Sequence, residues 1–146
     1  MPRILIIDDE PLVRAVLRRI LERHGHTVTE AADGRAGLAL WRYTPGDLVL
    51  TDLFMPGTDG IEVIVQLTRD WPQAKIIAMT GGAKTGDYMS TVASAALVLG
   101  AQHLLMKPFT IRTLLAAISS VLHPQDGTSD NESRTNTPVA LKGVLG

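Results

Sequence analysis

The fold is decided by a short apolar run that ends in acidic residues: residues 4–10 read ILIIDDE. Four further apolar runs of similar length follow at residues 28–31, 48–50, 76–79 and 104–106. Each of these runs is long enough for a strand that is buried on both faces of a sheet. The sequence therefore predicts five buried strands.

The segments between these runs have helical periodicity. In the first of them, one face carries the apolar residues Val13, Val16, Leu17, Ile20 and Leu21. The spacing turns four arginines away from that face, namely Arg14, Arg18, Arg19 and Arg23. Strands that alternate with single helices pair in parallel through right-handed crossovers. We predict an α/β fold, a doubly wound five-stranded parallel sheet with helices on both faces, and by analogy the flavodoxin-like strand order 2-1-3-4-5.

Length and composition limit the other possibilities. The chain has 146 residues, 45% apolar and 20% charged, which fits one folded domain. A formal net charge of -1 gives no field that would gather nucleic acid, and the absence of cysteine excludes disulfides and thiolate chemistry. The composition becomes polar near residue 123, so we predict a domain over residues 1–123 and a disordered tail over residues 124–146.

We expect a cytoplasmic protein without a membrane partner. The stretch after Met1 is too short and too acidic for a signal peptide. No apolar run approaches the roughly 18 residues that a membrane-spanning helix needs.

Polar residues follow four of the five predicted strands. Asp8 and Asp9 follow the first, Asp52 the third, Thr80 the fourth and Lys107 the fifth. In a doubly wound sheet, ligands bind outside the carboxyl ends of the strands. Each residue alone would commonly be a turn former, a helix cap or a surface charge, but together they predict one site.

The chemistry of this site follows from its residue types. Three neighbouring carboxylates repel one another unless a cation balances them, and an all-oxygen ligand set suits Mg²⁺, with Mn²⁺ as a second possibility. Thr80 can donate to a phosphoryl oxygen and Lys107 can supply a positive charge to another. Asp52 is then free to act as a nucleophile and form an aspartyl phosphate.

Four motifs together resemble the receiver domain of bacterial two-component response regulators, in particular the stand-alone, chemotaxis-regulator type. They are ILIIDDE at 4–10, DLFMPGTDG at 52–60, Thr80, and KPF at 107–109. The resemblance covers residues 3 to about 122. It implies that the protein is a phosphoacceptor that catalyses its own phosphorylation and dephosphorylation, not an enzyme acting on a separate substrate.

The resemblance also implies residue roles. Asp52 would accept a phosphoryl group from a histidine kinase or a histidine phosphotransfer protein. Asp9 would bind Mg²⁺ directly and Asp8 mainly through water, with Asp52 and the carbonyl of Phe54 completing the protein ligands. Thr80 and Lys107 would hold the phosphoryl oxygens, and the Lys107–Pro108 peptide bond is expected to be cis.

Two features depart from the family pattern. The position three residues before the lysine, usually aromatic, is Leu104, and we interpret the neighbouring His103 as a surface residue. Lys107 follows Thr80 by 27 residues, a wider spacing than the family usually shows. The extra residues predict an enlarged, glycine-rich and mobile loop over residues 80–86.

Surface composition suggests where partners bind. Residues 85–122 carry only three charged side chains, Asp87, Lys107 and Arg112. A weakly charged face formed by the fourth helix, fifth strand and fifth helix fits a downstream protein target, although deep packing of these helices would explain it nearly as well. The arginines of the first helix are either a kinase docking surface or a solvated face.

The leading hypothesis is a phosphorylation-dependent switch without a DNA-binding output domain. A phosphorelay intermediate or phosphate sink is the alternative within the same chemistry. A small Mg²⁺-dependent phosphatase would need an Asp-x-Asp motif, whereas Asp8 and Asp9 are adjacent. A scaffold that is never phosphorylated is disfavoured by the complete set of acceptor, metal, Thr and Lys positions.

Overall fold

The computed structural model describes residues 1–55, 58–81 and 87–124. Five parallel strands form its main sheet: β1 (Arg3–Ile7), β2 (Thr27–Ala31), β3 (Leu48–Asp52), β4 (Lys75–Thr80) and β5 (His103–Met106). Their order is β2-β1-β3-β4-β5, with every neighbouring pair parallel. The predicted fold class and strand order are confirmed.

Five helices connect and follow the strands: α1 (Pro11–Arg23), α2 (Gly34–Tyr43), α3 (Gly60–Asp70), α4 (Asp87–Leu99) and α5 (Ile111–Leu122). Two of their N-termini are capped by side chains, because Asp33 accepts the Ala36 N–H at 2.8 Å and Thr110 accepts the Thr113 N–H at 3.0 Å. Two antiparallel two-residue strands, Phe54–Met55 and Thr58–Asp59, lie between β3 and α3.

The strands extend beyond the apolar runs that predicted them. Asp52 is the last residue of β3 and pairs with Met79, while Thr80 is the last residue of β4 and pairs with Met106. Backbone hydrogen bonding continues where the side chains become polar, so these two functional candidates lie within the sheet instead of following it.

Alternating strand residues build two cores. One face of the sheet, with Ile7 and Val49, packs against α2, α3 and α4. The other face, with Ile6 and Leu50, packs against α1 and α5. Burial on both faces fixes the strand register, and the register fixes where each strand ends.

Helix α1 differs from its predicted amphipathic pattern. Val16 is 51% exposed although the spacing placed it in the apolar stripe. Both Arg14 and Arg18 bind Glu30 of β2, and Arg14, whose side chain is 16% exposed, does not belong to a solvated face, whereas Arg18 stays 42% exposed. The apolar face of α1 packs on the sheet, and one polar side of the helix contacts β2. Periodicity predicts the first of these contacts but not the second.

Two predicted segments lie outside the described residues: loop residues 82–86 and tail residues 125–146. In the part of the chain that is described, no helix has the length and apolar character to cross a membrane. Among its described side chains, helix α4 buries Ala96 in the core but leaves Leu97, Val98 and Leu99 exposed.

Candidate functional site

Asp8 lies directly beyond β1 with a fully buried side chain. Its Oδ1 accepts the Glu10 N–H at 2.9 Å, and its Oδ2 accepts a hydrogen bond from Lys107 Nζ at 3.0 Å. Its own N–H donates to the Ala31 carbonyl at 3.1 Å. Asp8 is therefore held by β2, by the start of α1 and by the residue after β5.

Lys107 joins Asp8 to Asp52. Its Nζ lies 3.1 Å from Asp52 Oδ2, while Asp52 Oδ1 accepts the Phe54 N–H at 3.1 Å. The lysine side chain is 20% exposed, so its ammonium group lies at the mouth of the site above two buried carboxylates. One cation thus offsets part of the repulsion between Asp8 and Asp52.

Asp9 completes a cluster of three carboxylates. Ligand atoms of Asp8, Asp9 and Asp52 all lie within 4.8 Å of one another, and Asp9 is the most accessible of the three. This oxygen-only donor set fits a hard divalent cation such as Mg²⁺, which takes one or two carboxylates and keeps several waters. The accessible side of the cluster leaves room for those waters.

Thr80 and Lys107 are linked through the backbone. The Lys107 N–H donates to the Thr80 carbonyl at 2.8 Å, and Thr80 is buried at the end of β4. The Lys107–Pro108 peptide bond is cis, as the family resemblance implied. The structure therefore brings the four predicted strand ends to one edge of the sheet, while the role of each residue stays a prediction.

The site perturbs two pKa values. Burial raises the pKa of Asp52, although the Phe54 N–H and Lys107 both act against that shift. Burial acts to lower the pKa of Lys107, but hydrogen bonds and charge from Asp8 and Asp52 outweigh it, and the pKa lies above its ordinary value. Lys107 is accordingly a permanent cation at neutral pH.

Sequence reasoning missed two residues beside the site. Arg14 Nη1 donates to the Asp8 carbonyl oxygen at 2.7 Å, and Arg14 Nε binds Glu30 Oε1 at 3.2 Å. Arg18 Nη1 binds the other oxygen of Glu30 at 2.6 Å. A usable signal was Glu30 itself, a charged residue inside a run that was predicted to be buried on both faces.

Glu30→Gln is expected to lower the free energy of unfolding at pH 7 by about 1 kcal/mol, because it weakens two partly exposed charge-assisted contacts. The hydrogen bond from Arg18, assisted by Arg14, lowers the pKa of Glu30 below its ordinary value of 4.5. The stabilisation is therefore complete above that value and disappears as pH falls through the folded-state pKa.

Urea unfolding over a pH series tests this prediction. The gap between wild type and Glu30→Gln should narrow on acidification. Glu62→Gln is the control, because Glu62 contacts only Gln66 among the hydrogen bonds described for it, at 3.3 Å on an exposed face of α3. A gap of constant size at every pH would contradict the assignment.

The position of the expected aromatic residue is filled by Leu104, which is partly buried against the core shared by α3 and α4. His103 is partly buried as well, and burial lowers its pKa. His103 therefore lies at the surface but is partly covered instead of fully solvated. It starts β5 and pairs in register with the buried Ile77.

The sequence of this chain is similar to those of known proteins. The family model described as "Response regulator receiver domain" matches residues 4–119. Protein PilH of Pseudomonas aeruginosa is 38% identical over 122 residues, covering 84% of this chain and 98% of PilH. Response regulator MprA of Mycolicibacterium vanbaalenii is 34% identical over 145 residues, covering 97% of this chain but 61% of MprA. A probable transcriptional regulator of Porphyridium aerugineum is 34% identical, and the chain spans 57% of it.

Solved structures agree with the sequence match. A CheY-like receiver domain protein from Methanospirillum hungatei superposes with a TM-score of 0.76 at 32% identity, covering 84% of this chain and 94% of that one. Response regulator TrrA from Thermotoga maritima, solved in complex with Mg²⁺-BeF, superposes with a TM-score of 0.71 at 30% identity, covering 84% of this chain and all of that one. The chain belongs to the receiver domain family of two-component response regulators.

Proposed function

We propose that this protein is a phosphorylation-dependent signalling switch in which Asp52 accepts a phosphoryl group. The observation that carries the proposal is Lys107 Nζ, which lies 3.0 Å from Asp8 and 3.1 Å from Asp52 beside a cluster of three carboxylates. A lysine held between two acidic groups is placed to balance the negative charge that arrives with phosphate.

The transfer step uses this chain's own groups. A carboxylate oxygen of Asp52 attacks the phosphorus of a phosphohistidine on the donor, the new O–P bond forms, and the P–N bond breaks. The donor histidine leaves with the electron pair of that bond and takes a proton. Lys107 and the Thr80 hydroxyl neutralise and orient phosphoryl oxygens, and Asp9 would hold Mg²⁺, which supplies charge neutralisation when bound.

The remaining metal ligands are also proposed from the family pattern. Asp8 would act mainly through water, because its two side-chain oxygens already bind the Glu10 N–H and Lys107. Asp52 and the Phe54 carbonyl would complete the set around Mg²⁺. Mn²⁺ suits the same oxygen ligands.

Acetyl phosphate with Mg²⁺ tests the proposal directly. Wild-type protein is expected to gain the mass of one phosphoryl group, and Asp52→Asn is expected to gain none, because an amide is not a nucleophile for this transfer. Asp47→Asn is the matched control, because Asp47 lies just before β3, at the other end of the strand that Asp52 completes. No added mass on wild type, or equal mass on Asp52→Asn, would overturn the proposal.

The phosphoryl donor is proposed to be a histidine kinase or a histidine phosphotransfer protein that docks beside α1. A groove of about 680 Å³ runs from α1 to the start of α5 and reaches Lys107. Its exposed apolar residues include Leu12 and Ile111, which are 76% and 53% exposed. A helix of the donor could bind in this apolar groove next to Asp52.

The downstream target is proposed to be a protein that binds α4, β5 and α5. Val98 and Met106 are 85% and 51% exposed on the first two of these elements. Exposed apolar residues on a weakly charged surface favour a protein partner over nucleic acid.

A further inference from the structure

We infer that Arg14 is a positioning residue that fixes the peptide between Asp8 and Asp9, and through it the direction of the Asp9 carboxylate. The inference rests on the proposed function, because it assigns Asp9 to Mg²⁺. It adds a residue outside the carboxylate cluster to the working parts of the site.

The geometry around Arg14 is specific. Its Nη1 donates to the Asp8 carbonyl oxygen at 2.7 Å, a short charge-assisted bond. Its Nε binds Glu30 Oε1 at 3.2 Å, and its side chain is 16% exposed. One rigid guanidinium group therefore ties the end of β1 to a carboxylate on β2.

The bond to the Asp8 carbonyl acts on Asp9. That carbonyl and the Asp9 N–H form one planar peptide unit, so holding its oxygen limits rotation of the plane. The preceding peptide is already anchored, because the Asp8 N–H donates to Ala31. Arg14 thus restricts rotation of the peptide that precedes Asp9, the most accessible carboxylate of the cluster. Contacts of this kind around metal ligands typically change metal affinity by about 10–100-fold.

Arg18 provides a matched control within the same network. It carries the same charge on the same helix and binds the same carboxylate, at 2.6 Å from Glu30 Oε2. Its other hydrogen bonds go to Glu22 and to the Val28 carbonyl, whereas Asp8 is bound by Arg14. Arg14→Met and Arg18→Met therefore lose the same charge and one contact to Glu30, but only Arg14→Met releases the Asp8 carbonyl.

Charge and geometry make opposite predictions for Mg²⁺ affinity. Removing a cation near an acidic cluster strengthens binding of another cation, because the Coulomb repulsion between the two cations is lost. Releasing the Asp8–Asp9 peptide weakens binding, because the ligand must be ordered when the ion arrives. A loss of affinity in Arg14→Met therefore reports geometry and cannot come from the lost charge.

Isothermal titration of each protein with Mg²⁺ tests the inference. We expect the dissociation constant to rise about tenfold in Arg14→Met and to stay within about twofold of wild type in Arg18→Met. The carbonyl ¹³C resonance of Asp8, measured without Mg²⁺, should shift in Arg14→Met and not in Arg18→Met. Thermal unfolding without Mg²⁺ checks that both variants are folded at the titration temperature.

The outcomes separate this inference from the proposed function. Unchanged or tighter Mg²⁺ binding in Arg14→Met overturns the positioning role while wild-type binding stands. Equal weakening in both variants also overturns it, because the effect would then come from the shared contact to Glu30. Absence of Mg²⁺ binding by wild type would refute the metal site itself, and the inference with it.

Discussion

Lys107→Met is expected to lower the free energy of unfolding by about 2–3 kcal/mol at pH 7 in the absence of divalent cations. Asp8 and Asp52 are buried, and the Lys107 ammonium group bonds to both. Removing the lysine leaves the two buried carboxylates without a compensating charge. This loss costs more free energy than the intact ion pairs contribute to stability. The partial exposure of Lys107 places the expected loss below the range for fully buried pairs.

Urea unfolding with and without Mg²⁺ measures the effect. Saturating Mg²⁺ should restore much of the lost stability, because an ion bound only by the folded state stabilises it by mass action. Lys75→Met is the control: Lys75 Nζ donates to the neutral Val121 carbonyl at 3.0 Å, so its loss leaves no carboxylate unpaired. A Lys107→Met protein as stable as wild type and indifferent to Mg²⁺ would show that the lysine does not balance this site.

Gly60→Ala is expected to destabilise the protein by about 3 kcal/mol and to weaken phosphorylation of Asp52. A Cβ at Gly60 would lie 2.5 Å from the Cα of Leu53 and still nearer to the carbonyl oxygen of Asp52. Both obstacles are backbone atoms, so either α3 or the end of β3 must move, and overpacking of this kind typically costs about 1–3 kcal/mol or more. Any movement of β3 displaces the carboxylate of Asp52, the proposed acceptor.

Gly37→Ala is the matched control for Gly60→Ala. Gly37 is also buried in a helix, but the atoms closest to an added Cβ there are Cδ1 and Cγ1 of the Ile7 side chain, and the next is the Ala31 Cβ, so no backbone atom is among them. We expect a smaller loss of stability and unchanged phosphorylation. Denaturant unfolding measures the stability of both variants, and the acetyl phosphate assay measures their phosphorylation. Equal behaviour of the two variants would contradict the argument that the approach of α3 to the β3 backbone places Asp52.

The sequence predicted the architecture because burial leaves a periodic pattern along the chain. Runs such as residues 4–7 and 48–50 are apolar at every position, which only strands buried on both faces require. The rule that ligands gather at the carboxyl ends of parallel strands then led from the runs to Asp8, Asp52 and Lys107. The structure brings these three together through two hydrogen bonds of the lysine.

What the sequence could not predict depends on how elements pack sideways. Helical periodicity placed Arg14 opposite the apolar stripe of α1, but it does not predict which residues Arg14 contacts. Its contact with Glu30 requires the distance between α1 and β2, and its bond to Asp8 requires the twist of β1 where it ends. The exposure of Val16 also depends on sideways packing, because no neighbouring element covers that part of α1 among the described residues.

The bond between Lys107 and Asp8 joins residues 99 positions apart in the chain. A nascent chain that has not yet emerged past β5 contains Asp52, the proposed phosphoryl acceptor, but lacks Lys107. If Asp52 is the acceptor, its phosphorylation requires the completed tertiary structure, and we expect truncated or misfolded copies to remain unphosphorylated. In a purified sample, the fraction that takes up label from acetyl phosphate should then count the correctly folded molecules.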